Sequence, residues 1–247
     1  MGELAAEQAG LATILAGLHP ADWRRPTRCD GWDVADVVLH LAQTNELAIG
    51  SASGCFDEVL SELAGDTAPP ASVDDGVAAM VARERSADVA GVMARWSRGA
   101  DTLVSVLGAG DGSTRVRWVA GELSLRTLAT TRLAETWIHA GDVAGAVGSV
   151  LADTDRLRLI ARLAWRTLPY AFASAGRAMS GPVAFRLVSP TGARWDFEPD
   201  EVAVTTIAGS AAELCGVAAR RVDPAATALR GDGPDAEEVL ALVRTYA

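Results

Sequence analysis

Apolar residues recur at helical spacing through the first two thirds of the chain. Residues 3–18 carry Leu4, Leu11, Ile14 and Leu18 as one stripe, which His19-Pro20 closes. A polar loop with Trp23, Pro26, Cys29, Gly31 and Trp32 follows. Asp33 can then cap a helix over about 33–49, with Val34, Val37, Val38 and Leu41 on its apolar side. A stretch rich in Gly, Ser and Pro, about 50–76, contains one short helical piece around 56–63. Ser86 can cap a helix over about 86–107, broken by Gly108 to Gly112. Ser124 can cap another over about 124–147, and Asp153 or Thr154 opens one over about 154–173. Beyond Gly176 the period changes from helical to alternating. Val183, Phe185 and Leu187, the turn Ser189-Pro190-Thr191-Gly192, and Trp195 with Phe197 predict a hairpin. A third strand is expected over 202–207, then helices over 209–221 and 235–246. The pattern therefore predicts an α+β protein: an all-helical region, 1–175, followed by a small α+β region, 176–247.

Composition narrows the chemistry. The chain has 247 residues, three His and no Lys, so all 22 basic residues are Arg. That excludes a Schiff-base lysine, a pyridoxal phosphate anchor and a Walker-type phosphate lysine. A net charge of −10 argues against a nucleic-acid or anionic-membrane partner. Cys29, Cys55 and Cys215 form neither a disulfide framework nor a CxxC pair. No basic-then-apolar leader opens the sequence, and no apolar run approaches the ~18 residues that span a bilayer. A reduced, cytoplasmic protein is expected.

Any histidine chemistry must draw on His19, His40 and His139. His19 stands at a helix end, where a capping role suffices. Glu135 and His139, four residues apart, point the same way from the fourth helix. Arg132 and Asp142 fall near the same stripe, which is unusually polar for a helix that must also bury a face. His40 lies beside the core-facing side of the second helix. Two imidazoles and a carboxylate are a familiar zinc set that leaves one position open, and Asp142 could take the free ring N–H of His139 or bind a substrate group. The competing account is plain: Glu and His at this spacing arise often by chance, and a lone core histidine is commonly just a satisfied one. The Trp residues are expected mostly in packing, with Trp32 at a pocket mouth. The three Cys are expected as small buried residues, and Arg156, Arg158, Arg162 and Arg166 as a solvated or domain-facing stripe.

Three motifs then agree. Trp23-Arg24-Arg25-Pro26-Thr27-Arg28-Cys29-Asp30-Gly31-Trp32-Asp33-Val34, with His40-Leu41-Ala42, resembles the N-terminal signature of the mycothiol-dependent maleylpyruvate isomerase family, a DinB-like group. Arg132-Leu133-Ala134-Glu135-Thr136-Trp137-Ile138-His139-Ala140-Gly141-Asp142-Val143 resembles its second signature, Glu-x3-His-x2-Asp. Leu187 to Gly192 with Trp195, then Gly209, Cys215 and Arg221, resembles its C-terminal domain. The resemblance implies a DinB-like up-and-down four-helix bundle over 1–175 and a small, SCP2-like α+β domain over 176–247. It implies a divalent metal, usually zinc, on His40, Glu135 and His139, and mycothiol as a thiol cofactor. It also implies a C-terminal arginine important for activity. Arg221 matches that position, but the family's small preceding residue is here Arg220, so both are candidates.

The chemistry suits the implication. A free thiol has a pKa near ~8.5, and a Lewis-acidic metal can deprotonate it. A guanidinium can clamp a substrate carboxylate. Leu41 follows His40, so this is not an HExxH protease site. The expected function is a metal-dependent, mycothiol-using isomerase or S-transferase acting on a small electrophile, in a branch of the family without an assigned substrate. The rivals are an isomerisation, cyclisation or elimination enzyme on the same scaffold without mycothiol, and a non-catalytic metal- or ligand-binding protein. The expected partners are a small substrate and a low-molecular-weight thiol, with the chain a monomer or homodimer.

Overall fold

A computed structural model describes residues 1–66, 70–85, 87–119 and 121–245. The chain forms two compact units, Met1–Leu151 and Ala152–Ala247. In the first, the helices are α1 (Gly2–Ala16), α2 (Val34–Ser53), α3 (Phe56–Ala64), α4 (Val73–Glu84) and α5 (Val89–Ala109). The hairpin strands β1 (Arg115–Trp118) and β2 (Gly121–Ser124) and helix α6 (Leu125–Val147) follow. Helices α1, α2, α5 and α6 pack on one another as a four-helix bundle, with α3 and α4 laid against α2. The bundle core joins Leu11 and Leu15 of α1, Val34, Val37, Val38 and Leu41 of α2, Val92 and Trp96 of α5, and Ala140 and Val143 of α6.

Local chemistry sets the ends of the two helices that matter most. Asp33 caps α2: its carboxylate accepts from the Asp36 N–H while the Asp36 carboxylate accepts from the Asp33 N–H, which is a reciprocal capping box. Ser124 caps α6, and Gly148 ends it in the left-handed conformation at φ +69°. Helix α5 begins three residues later than the sequence pattern places it, because Asp88 supplies the cap; Ser86, the expected cap, lies outside the described residues. Helix α4 and the β1–β2 hairpin are additions to the sequence reading. Only Met80 and Val81 of α4 are buried, too few for a stripe.

The second unit contains α7 (Leu157–Arg166), α8 (Leu168–Ser174), β3 (Val183–Val188), β4 (Arg194–Phe197), β5 (Thr205–Ser210), α9 (Ala211–Ala218), β6 (Arg230–Asp232) and α10 (Ala236–Leu242). The sheet order is β4-β3-β5-β6, with β3 and β5 parallel and the other pairs antiparallel. The expected hairpin forms as β3–β4, with Phe185 opposite Phe197 and Leu187 opposite Trp195, which places these four on one buried face. The third strand lies at 205–210 rather than 202–207. The helix expected over 154–173 divides at Thr167, because Pro169 in the first turn of α8 has no N–H with which to continue α7. Both pieces belong to the second unit: α7 packs on α9 and β4, and α8 on α10. The division at 151/152 thus lies well before the expected 175/176. The helix expected to reach 246 is observed to Leu242; residue 246 is outside the described residues. No helix among the described residues is long and apolar enough to cross a membrane.

Candidate metal centre

The bundle of the first unit draws three sequence-predicted residues together. His40 comes from α2, and Glu135 and His139 come from successive turns of α6. Their ligand atoms all lie within 4.8 Å of one another. Glu135 Oε2 is 3.4 Å from His40 Nε2 and 3.6 Å from His139 Nε2. The two imidazole rings meet edge to face, with centroids 4.8 Å apart. All three residues are buried.

A second set of groups surrounds this centre. Asp142 Oδ2 accepts from His139 Nδ1 at 3.0 Å, which fixes the ring so that Nε2 faces Glu135. The Trp32 ring stands 5.2 Å from that of His40. Arg132 is wholly buried one turn before Glu135, and its Nη2 donates to the Thr44 hydroxyl at 2.8 Å. Asp142, Trp32 and Arg132 are therefore all brought to the centre. So is one residue the sequence reading left as mere packing: the half-buried Cys29 thiol donates to Asp142 Oδ2 at 3.3 Å and lies 3.8 Å from His139 Nδ1. The available signal was that Cys29 shares the loop of Trp32.

That loop is a hydrogen-bonded knot. The Thr27 N–H donates to the Trp32 carbonyl at 2.9 Å and the Trp32 N–H to the Cys29 carbonyl at 2.9 Å. Gly31 adopts φ +70°, a left-handed conformation natural to glycine. Arg85 ties the loop to α2 by donating to the Gly31 carbonyl and pairing with Asp36. Arg220 and Arg221 lie in the second unit, just after α9. Arg220 is left-handed at φ +58° and donates to the Ala241 carbonyl at 2.8 Å, while Arg221 donates to the Ala219 carbonyl at 3.1 Å.

Electrostatics divide the two imidazoles. Burial drives the His40 pKa down to about 4, against the opposing pull of the Glu135 carboxylate that faces Nε2, so this ring is neutral at pH 7. Burial also disfavours the His139 cation, but Asp142, Cys29 and Glu135 together hold its pKa well above the ordinary value. Burial alone would raise the Glu135 pKa; the facing ring nitrogens of His139 and His40 outweigh it and keep the carboxylate ionised. Two buried acceptor-capable atoms, His40 Nδ1 and Glu135 Oε1, have no hydrogen-bond partner. Contacts of 3.4 and 3.6 Å around a shared oxygen are long for hydrogen bonds. The donor set, the under-satisfied atoms and the backing carboxylate on His139 together fit a divalent cation held by two imidazoles and one carboxylate.

Known proteins resemble this chain in sequence and in fold. Residues 4–144 match the family described as the mycothiol maleylpyruvate isomerase N-terminal domain. The chain is 30% identical over 250 residues to an uncharacterized Mycobacterium tuberculosis protein, named Rv0036c in one strain and MT0041 in another; the match covers 100% of this chain and 95% of that protein. In structure it is similar to the mycothiol-dependent maleylpyruvate isomerase, with a TM-score of 0.60 at 18% identity over 94% of this chain and 93% of that one. A histidine-to-alanine mutant of that enzyme gives the same TM-score of 0.60 over 89% of this chain and 87% of its own.

Proposed function

Because the chain belongs to the family of the mycothiol maleylpyruvate isomerase N-terminal domain, we propose that it is a metal-dependent enzyme that uses a low-molecular-weight thiol, mycothiol, to isomerise or transfer to a small electrophilic, anionic substrate. The observation that carries this reading is the convergence of His40, Glu135 and His139, with Asp142 behind His139. A divalent ion held there, zinc by ligand preference, would act as a Lewis acid that lowers the pKa of a thiol at its open position. The residues of the chain prepare for that. His40 presents a neutral ring without first losing a proton. The pair of carboxylates beside His139 favours its protonated form; a cation held at Nε2 would displace the proton there, while Nδ1–H stays on Asp142. Asp142 holds the ring orientation throughout. The Trp32 ring packs at a tilt beside His40. No glutamate follows His40, so the nucleophile is brought in rather than made from water by a built-in base. We assign the substrate carboxylate to Arg221 or Arg220, by likeness to the family's C-terminal motif.

Native mass spectrometry of the purified protein, alone and with mycothiol, tests the reading. One divalent ion per chain, lost in His40→Ala, and thiol binding that requires the ion are expected. No ion even after incubation with zinc would overturn the site. An ion without thiol affinity would overturn mycothiol use and point to a thiol-independent enzyme on this scaffold.

A further inference from the structure

The bundle interior contains a charge that the ligand set does not use. Arg132 is 1% exposed and heads the largest fully buried side chains. Its Nη2 donates to Thr44 Oγ1, which itself donates to the His40 carbonyl at 2.8 Å. Its Nε has no hydrogen-bond partner. Among the described residues no carboxylate oxygen lies within 4.0 Å of its nitrogens. The nearby buried carboxylates are engaged elsewhere: Asp36 with Arg85, Asp142 with His139 and Cys29, Glu135 with both imidazoles. A guanidinium stays charged in proteins, and burying one without a partner is costly. A group left so under-satisfied calls for a functional explanation.

Arg132 sits three residues before Glu135 and seven before His139, on the same face of α6. Its side chain reaches α2 one turn beyond His40, through Thr44. Glu135 and Arg132 cancel. Asp142 adds one negative charge on the outer side of His139. A divalent ion on the neutral imidazoles therefore leaves the centre one positive charge in excess, which a single anion neutralises. Without Arg132 the same centre would already be neutral and a neutral ligand would suffice.

We propose that Arg132 is a specificity-determining residue, which makes the His40–Glu135–His139 centre select an anionic external ligand, the class to which a thiolate belongs, over a neutral one. The inference rests on the metal-centre reading above. It acts through space, so contact between Arg132 and the incoming ligand is not required.

The test uses cobalt(II)-loaded protein, whose visible bands report the external ligand. Azide serves as the anionic probe and imidazole as the neutral one, both titrated at one pH above the pKa of imidazole. In Arg132→Met, azide affinity should fall at least about tenfold, because a unit charge removed from a buried site exceeds the ~1.4 kcal/mol that a decade represents. Imidazole affinity should change less than about twofold. Arg132→Lys keeps the charge and should restore most of the azide affinity. Arg132→Gln provides a second neutral variant if the methionine variant does not fold, and Thr44→Val, which removes the hydrogen bond but not the charge, should leave the azide-to-imidazole ratio unchanged. Parallel loss of both probes, or loss of neither, would overturn the proposal. Failure of the wild-type protein to bind cobalt would instead remove the metal-centre reading itself, before any probe is added.

Discussion

Replacing Asp142 by Asn separates the charge of this residue from its shape. The side chain is 1% exposed and accepts from His139 Nδ1 at 3.0 Å, so its carboxylate orients the ring and supports its basicity. Two independent scales give the size of the loss. A hydrogen bond to a charged group contributes about 1.5–3 kcal/mol. Removing an outer carboxylate behind a metal-bound histidine lowers metal affinity roughly 10–100-fold, which is about 1.4–2.8 kcal/mol. The agreement is expected, because both describe the same bond. The assay is zinc affinity by competition with a chromophoric chelator, for wild type, Asp142→Asn and His139→Ala, with circular dichroism to verify folding. Asp142→Asn should bind zinc 10–100-fold more weakly, and His139→Ala should lose it. Cys29→Ser, which leaves the carboxylate in place, should move affinity by less than about threefold, since only the weak thiol donor is altered. If Asp142→Asn stays within twofold of wild type while folded, the carboxylate does not act through His139, and the account of how the centre is oriented fails.

The remaining predictions concern the scaffold. Asp33→Ala removes the capping box of α2 and should cost about 1 kcal/mol, within a range of roughly 0.5–2, in urea unfolding; an unchanged midpoint would mean that the box contributes nothing. Cys215 is wholly buried and its thiol pKa is pushed up by that burial, so iodoacetamide should label the half-buried Cys55 long before it in the native protein. Peptide mapping that finds Cys215 alkylated first would contradict this packing. Gly233→Ala and Gly121→Ala both force an L-residue to positive φ, +106° and +109°, at about 1–2 kcal/mol each. Only at Gly233 would the new Cβ also collide with backbone, at the Val204 carbonyl oxygen and Thr205 Cα, so that variant should lose far more soluble protein than the other. Equal yields and melting would refute the distinction.

What could be read from the sequence follows how local each signal is. Helices α2 and α6 are announced by Asp33 and Ser124 within four residues of the bonds they make. The β3–β4 hairpin is announced by strict alternation and a Gly-containing turn in which Gly192 adopts φ +85°. Helix α4 is not, since just two of its residues are buried. The β1–β2 hairpin is not either, since its strands are four residues each and only Val116 is buried. Pro169 was visible, but whether a proline kinks a helix or divides it depends on what packs on either side. At the centre, Glu135 and His139 are one helical turn apart and so could be paired from spacing alone. His40 joins them across 95 residues, and Cys29 reaches His139 across 110. Only the packing of α2 on α6, and the knot that carries Cys29, close those distances.

The polarity of α6 is the link between fold and chemistry. A bundle helix needs one apolar stripe to be stable, yet α6 buries Thr131, Arg132, Glu135, Thr136, His139 and Asp142 along with its leucines and alanines. Replacing such groups by apolar side chains of similar volume is commonly neutral or stabilising. Their burial therefore opposes the economy of a purely structural bundle, and these polar groups are concentrated where α2 faces α6. Local capping at both helix ends, the core of Leu11, Val37, Val38, Trp96 and Val143, and the Arg85 tether on the loop hold that polar seam in place. A seam held so firmly, with ring nitrogens and a carboxylate converging at distances too long for good hydrogen bonds, fits the proposed cation site better than it fits a bundle built only to fold.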